Sequence, residues 1–418
     1  MAYDARDGYA VLFSGSGAKN DTWTFSNGTW TELTLSVAPS QRTYAGMTYD
    51  MEDHYVLLFG GHHGNSTYLN DTWKFQGGKW TPIAAVNAPP PRAYADMTYD
   101  AATTDHCVLL FGGNTSQAFF GDTWTYAAGV WTNITPSTRT PTNSPSARAF
   151  SSMAYDTKNG YVVLYGGGSH GEALRDTWKF VDGRWSQLKP AVSPQASYYT
   201  MMAFNGPSSS TGRYVLLFGG IANGKAYPYT WEYLLGKWTN ISPTTSPPAR
   251  FGASMAYDAQ DGYMVLFGGI SQPRPGAPVL DDTWTFANGS WTNRTPLPVH
   301  TVTFSESHLP KGSVWSVLAD GMTVSSNQST LRFELSNGAY NYTVDPVTGY
   351  TTNSSGTITM AGANLKVTIT FEKEKSAGTS AGSASPDLAQ GPRGAGTALA
   401  PALRPISGTL RPFGSSGT

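Results

Sequence analysis

Eleven side chains carry functional groups that a repeated scaffold does not explain. They are His62, His63 and Tyr68, then Phe119 and Phe120, then His170, Glu172 and Arg175, then Tyr227 and Tyr229, and finally Arg274. Aromatic rings beside hydrogen-bonding groups suit stacking on a sugar ring or anchoring of a protein hot spot. Imidazoles and a carboxylate also invite a metal, because both ligate transition ions. Neighbouring histidines in an extended loop point to opposite sides, however. No H-x-H or H-x3-H spacing supports His62, His63, His170 and Glu172 as ligands. No metal and no cofactor are therefore expected. No G-x-S-x-G, zincin or P-loop motif appears, and no catalytic residue is assigned.

These residues stand out against a repeat. The stretch NDTWKFQGGKWTPI holds Trp73 and Trp80, seven residues apart around a Gly-Gly turn. The same spacing recurs at Trp23/Trp30, Trp124/Trp131, Trp178/Trp185, Trp231/Trp238 and Trp284/Trp291. Twelve of the thirteen tryptophans belong to this device. Around it runs a longer unit, fullest in RTYAGMTYD, YVLLFGG, NDTWKF and KWTPI, with anchor methionines at Met1, Met47, Met97, Met153, Met202 and Met255. Four short strand signals per unit, at a period near 50, are the pattern of a propeller blade. A lone four-stranded blade cannot bury both faces, so neighbours must stack.

Repetition supplies a rule: what recurs in every unit belongs to the scaffold. The repeated tryptophans, the diglycines and Arg42, Arg92, Arg148 and Arg250 are assigned to structure, the arginines between blades. Asp21, Asp71, Asp122, Asp176 and Asp282 suit turn caps that accept backbone N–H bonds. Gly60-Gly61 calls for left-handed backbone or close packing. The loop between the second and third strands varies most, taking 8, 12, 11, 11, 11 and 15 residues from the second glycine to the tryptophan. Strand direction alternates, so these loops share a face with the connections between blades. That face gathers the eleven unrepeated residues and is the expected binding face.

The diglycine and the tryptophan spacing together resemble kelch repeats of the kind that form the galactose oxidase propeller, over residues 1–296. The resemblance implies a six-bladed, all-β propeller. No M-x-Y-D anchor follows Trp291 to complete the first unit, so either its first blade has a shortened inner strand or residues upstream of Met1 close the ring. Galactose oxidase chemistry would imply copper with a cysteine-crosslinked tyrosine. The single cysteine, Cys107, instead lies in the apolar run CVLLF, as a core residue does. That activity is not expected.

Alternating strands continue over 297–375. HLPKG, NGAYNYTV and the final VTITF resemble immunoglobulin-like modules of archaeal surface and secreted proteins, which implies a small antiparallel β-sandwich. Residues 376–418 collapse to Ala, Gly, Ser, Pro and Thr, a composition expected to be disordered.

A net charge of −1 with no basic patch excludes nucleic acid as the main partner. No transmembrane run is present. Twelve N-x-S/T sequons favour an extracellular or cell-surface setting; the glycosylation candidates are Asn65, Asn114, Asn133, Asn240, Asn293, Asn327, Asn341 and Asn353. The leading expectation is a binding or adhesion protein for a protein or glycan ligand. The alternative is a secreted carbohydrate hydrolase, lyase or epimerase acting at the central channel. Convergent carboxylates at the channel would favour the enzyme, and an aromatic rim would favour binding.

Overall fold

The tryptophan hairpin closes as it does because its two turn residues both take left-handed backbone. Gly77 and Gly78 have φ of 56° and 72°, and Asn27-Gly28, Asp182-Gly183 and Asn288-Gly289 repeat the geometry. Such turns match the twist of the strands they join. They set Phe75 opposite Trp80, and Tyr126 opposite Trp131.

The computed structural model describes residues 1–374 apart from 16–18, 65–66, 103–105, 141–142, 207–212, 275–276, 278, 296–298, 337, 353–354 and 362. The low-complexity tail expected over 376–418 lies outside the described residues, as do Asn65 and Asn353. The chain divides into two units, Met1–Pro296 and Leu297–Thr418.

Every element described in the first unit is a strand or a turn, and its strands form antiparallel four-stranded meanders. The first runs through Ala2–Asp4, Tyr9–Phe13, Thr22–Ser26 and Thr29–Leu33, and the second through Gly46–Asp50, Tyr55–His63, Thr67–Gln76 and Lys79–Ile83. The sixth runs through Ser254–Asp258, Tyr263–Phe267, Thr283–Ala287 and Ser290–Asn293. The opening strand of the first sheet has three residues where the others have five. Second strands such as Tyr55–His63 and Cys107–Phe111 are buried on both faces, which explains their unbroken apolar runs. Cys107 is buried there.

The second tryptophan of each hairpin does more than fill the core. Its indole N–H donates to the threonine hydroxyl of the D-T-W segment one sheet earlier: Trp80 to Thr22 at 2.9 Å, Trp131 to Thr72 at 3.1 Å, Trp185 to Thr123 at 2.9 Å. Trp238 and Trp291 continue the series to Thr177 and Thr230. Trp30 bonds Thr283 at 2.8 Å, which ties the first sheet to the sixth. The strand Ala2–Asp4 accordingly lies against both Gly46–Asp50 and Ser254–Asp258. The diglycine packs as closely as its sequence implied: a Cβ on Gly60, at φ 64°, would meet the Arg92 carbonyl at 2.8 Å.

In the second unit, Thr330–Ser336, Val299–Ser307, Leu365–Lys373 and Tyr350–Thr352 form one sheet. Met322–Ser326, Trp315–Ala319, Gly338–Val344 and Ser355–Met360 form another. Both contribute to one core around Phe304, Trp315, Phe333 and Phe371. The expectation of a purely antiparallel unit needs correction. Val299–Ser307 pairs in parallel with Leu365–Lys373, because the long first strand borders the last one side by side.

Replacing Thr72 by valine keeps the shape but leaves the buried Trp131 N–H without an acceptor. Thr72→Val should lower unfolding free energy by about 1–3 kcal/mol, read by denaturant titration. An unchanged midpoint would show the latch to be energetically idle.

Candidate functional site

The site is built on the segments that lead into each first strand. Arg92 is buried, its guanidinium clamped on Asp122 by two bonds of 2.6 and 2.8 Å and on the Gly112 carbonyl at 2.9 Å. Arg42–Asp71, Arg148–Asp176 and Arg250–Asp282 repeat the pair. The same aspartate accepts the first tryptophan's indole N–H, as in Trp124 to Asp122 at 2.7 Å. Burial pushes the Asp122 carboxyl up, but the Arg92 and Trp124 bonds outweigh it and hold it below the usual carboxylate range. These aspartates are therefore ion-pair partners and not the turn caps that the sequence had assigned. Capping falls to another repeated set: Asp50 accepts N–H bonds from Glu52 and Asp53, and Asp156 from Lys158 and Asn159. The arginines bridge sheets through their backbone, since Gly61 N–H of one sheet donates to the Arg92 carbonyl of the next.

Two residues beyond the arginine position stand Tyr44, Tyr94, Phe150, Tyr199 and Gly252, with φ of 57°, 58°, 63°, 58° and 63°. Left-handed backbone strains any residue with a Cβ and clusters at functional sites. Here it is held by a chain of bonds between sheets: Tyr94 N–H to the Tyr44 carbonyl, Phe150 to Tyr94, Tyr199 to Phe150, Gly252 to Tyr199. The rings converge. Tyr44 stacks on Tyr94 at 4.0 Å, Tyr94 meets Phe150 at 4.4 Å, and Phe150 meets Tyr199 at 4.4 Å. Four sheets thus contribute one aromatic each to a girdle over the ring of first strands.

Beside the girdle opens a cavity of about 330 Å³, lined also by Asp96, Ser151, Thr200 and Ser254. Asp96 stands where the other units carry Gly46, Ser152, Met201 and Ser254. Burial pushes its carboxyl up to about 7, against a hydrogen bond from Ser151 and the charge of Arg148. It is the one carboxylate among the described residues that line the cavity.

None of the eleven residues singled out by sequence lines this cavity among the described residues. Phe119 packs edge-on to Phe150 at 6.5 Å and against His170 at 5.0 Å, so these two extend the girdle. Phe120 lies under the Arg92 guanidinium at 4.1 Å, a supporting role. His62 and Tyr68 pair across adjacent strands at 5.0 Å, and His63 Nδ1 meets the Gln41 carbonyl at 2.6 Å. Tyr227 stacks on Tyr229 at 5.8 Å. Glu172, Arg175 and Arg274 are exposed, and none forms an ion pair among the described residues.

Sequence reasoning missed the girdle because its members recur, and recurrence had been equated with scaffold. The signal for Asp96 was an acid at a position otherwise small or apolar. Among the sequons, Asn133, Asn240 and Asn293 are exposed, but each side chain accepts the N–H of the hydroxyl residue two places on. The Asn114 side-chain oxygen is buried. Asn327 and Asn341 are exposed, and Asn341 accepts a bond from Thr357.

A family model described as the KLHDC2/KLHL20/DRC7 Kelch-repeats domain matches residues 4–220. The chain is 30% identical over 165 residues to tRNA wybutosine-synthesizing protein 4 of Emericella nidulans, covering 37% of this chain and 15% of that protein. It is 31% identical over 170 residues to an F-box/kelch-repeat protein of Arabidopsis thaliana, covering 35% of this chain and 33% of that one. It thus spans a third or less of the length of these relatives.

Because burial raises the Asp96 carboxyl in the folded state, it costs no stability below the unfolded carboxylate range, progressively more as pH rises from there, and no further once pH has passed about 7. Asp96→Asn should therefore gain on the parent between pH 5 and pH 8, measured as the difference in urea midpoint. A constant difference across that range would contradict the assignment.

Proposed function

The chain belongs to the KLHDC2/KLHL20/DRC7 Kelch-repeats domain family, and we propose that its first unit is a closed six-bladed β-propeller that binds a protein partner at the aromatic girdle. One observation carries this reading: Tyr44, Tyr94, Phe150 and Tyr199 arrive from four sheets at one mouth, with Phe119 and His170 on its rim. Large rings with few rotatable bonds, held in place before binding, are what interface hot spots use. Glycosidic hydrolysis needs two carboxylates facing one bond. The cavity offers Asp96 alone among its described lining, which favours binding over the enzymatic alternative. A glycan ligand belongs to the same reading, since pyranose faces stack on the same rings.

We further propose that the protein works outside the cell, with residues 297–375 as an immunoglobulin-like module carrying the propeller. The density of sequons supports the first point, and the two sheets around one core support the second.

The test uses the full chain immobilised against a cell-surface extract and a glycan array, with any ligand found then measured by surface plasmon resonance. Tyr44→Ala and Phe119→Ala should each weaken binding about thirtyfold or more, the loss that marks a hot spot. Their thermal unfolding should match the parent. Unchanged affinity in both variants would move the site off the girdle.

A further inference from the structure

Asp71, Asp122, Asp176 and Asp282 each carry an arginine, at 2.5 to 2.6 Å. Asp96 forms no ion pair among the described residues. Its Oδ2 accepts the Ser151 hydroxyl, and its Oδ1 has no hydrogen-bond partner among the described residues. The guanidinium whose charge reaches it, that of Arg148, is committed to Asp176 by two bonds of 2.6 and 2.7 Å and to the Gly166 carbonyl at 2.9 Å. A carboxylate taken out of water without a counter-ion is costly. The scaffold has no use for this one, since the other sheets place Gly46, Ser152, Met201 and Ser254 there.

The surroundings of Asp96 suit a cation. It is half-buried at the wall of the cavity that Tyr44, Tyr94, Phe150 and Tyr199 also line. Ring faces attract a positive charge and bury an alkyl stem at the same time. The Ser151 and Thr200 hydroxyls share that wall, the second held at 2.8 Å from the Ser152 hydroxyl. Among the described side chains that line the cavity, Arg42 is the one cation, and it is clamped on Asp71. All of these groups sit on the second to fifth sheets and the segments leading into them.

We infer that the girdle selects a lysine of the protein partner, its stem lying along the rings and its ammonium settling on Asp96 Oδ1. The inference rests on the girdle being the binding site. The Ser151 and Thr200 hydroxyls are the further acceptors, and an ammonium has three donors to share among them. Arginine suits the place less. Its planar fork gains most from both oxygens of a carboxylate, and here Ser151 already holds Oδ2. An apolar chain of the same length gains the rings but leaves the carboxylate without a counter-ion.

The probes are capped tripeptides, acetyl-Gly-Lys-Gly-amide and its norleucine and arginine counterparts, titrated into the full chain and followed by NMR at Thr200. Norleucine keeps the stem and removes the charge. The lysine peptide should saturate, norleucine should bind about tenfold more weakly or worse, and arginine should fall between. Asp96→Asn should remove the preference for lysine over norleucine. From pH 8 to pH 5.5 the lysine affinity should fall about thirtyfold, as the Asp96 carboxyl, pushed up to about 7 by burial, takes a proton. Arg148 stays paired with Asp176, burial pushes the Tyr94 and Tyr199 hydroxyls up and keeps them neutral, and a His170→Gln control removes the rim imidazole. Equal binding of the lysine and norleucine peptides, a preference that survives Asp96→Asn, or no binding of any peptide overturns the inference. Equal binding that Tyr44→Ala weakens would overturn it while leaving the girdle as the site. The peptide comparison leaves the protein untouched, so the outcome does not depend on Asp96→Asn folding.

Discussion

The first unit depends on an indole N–H of one sheet bonding a threonine hydroxyl of the sheet before it. Each latching tryptophan is also wedged between two rings. Trp80 touches Phe75 of its own hairpin and Phe13 of the preceding sheet, both at 5.1 Å. Trp131 sits likewise between Tyr126 and Phe59, and Trp30 between Phe25 and Phe267. Apolar packing alone would let twisted sheets slide over one another. A directional bond from a large, buried donor fixes the register, because any slip leaves that N–H unpaired in a dry interface.

Once the sheets are registered, the lead-in segments have little freedom. Arginine is drawn onto an aspartate that already holds the first tryptophan, and its carbonyl onto the diglycine next door. The short path that remains to the first strand forces the residue two places on into left-handed backbone, and it is this turn that aims Tyr44, Tyr94, Phe150 and Tyr199 at one another. Scaffold and site are therefore one chain of constraints. The two kinds of carboxylate along it respond to their surroundings in opposite ways: Asp122 is held down by a guanidinium, while Asp96, facing the cavity with a serine for company, is pushed up.

Much of this was legible in the residues. The seven-residue tryptophan spacing, the apolar second strands and the left-handed glycines each have one physical meaning, and the structure has that meaning. Other features depend on partners distant in sequence. That Asp71 would meet Arg42, 29 residues away, and that Thr22 would meet Trp80, 58 residues away, is decided by how sheets stack. The girdle escaped for a different reason: repetition marks structural necessity, but four recurrent aromatics that meet over the first strands also make a surface. In the second unit, alternation revealed strands but could not reveal that the first and last would run parallel.

The central claim is that six indole latches close the unit into one cooperative ring. Hydrogen exchange of the tryptophan indole N–H groups, resolved by NMR, tests it most directly. The account predicts that Trp30, Trp80, Trp131, Trp185, Trp238 and Trp291 all exchange slowly and through a common opening. Rapid exchange at Trp30 while the other five stay protected would show the first and sixth sheets to be unlatched, and would contradict it.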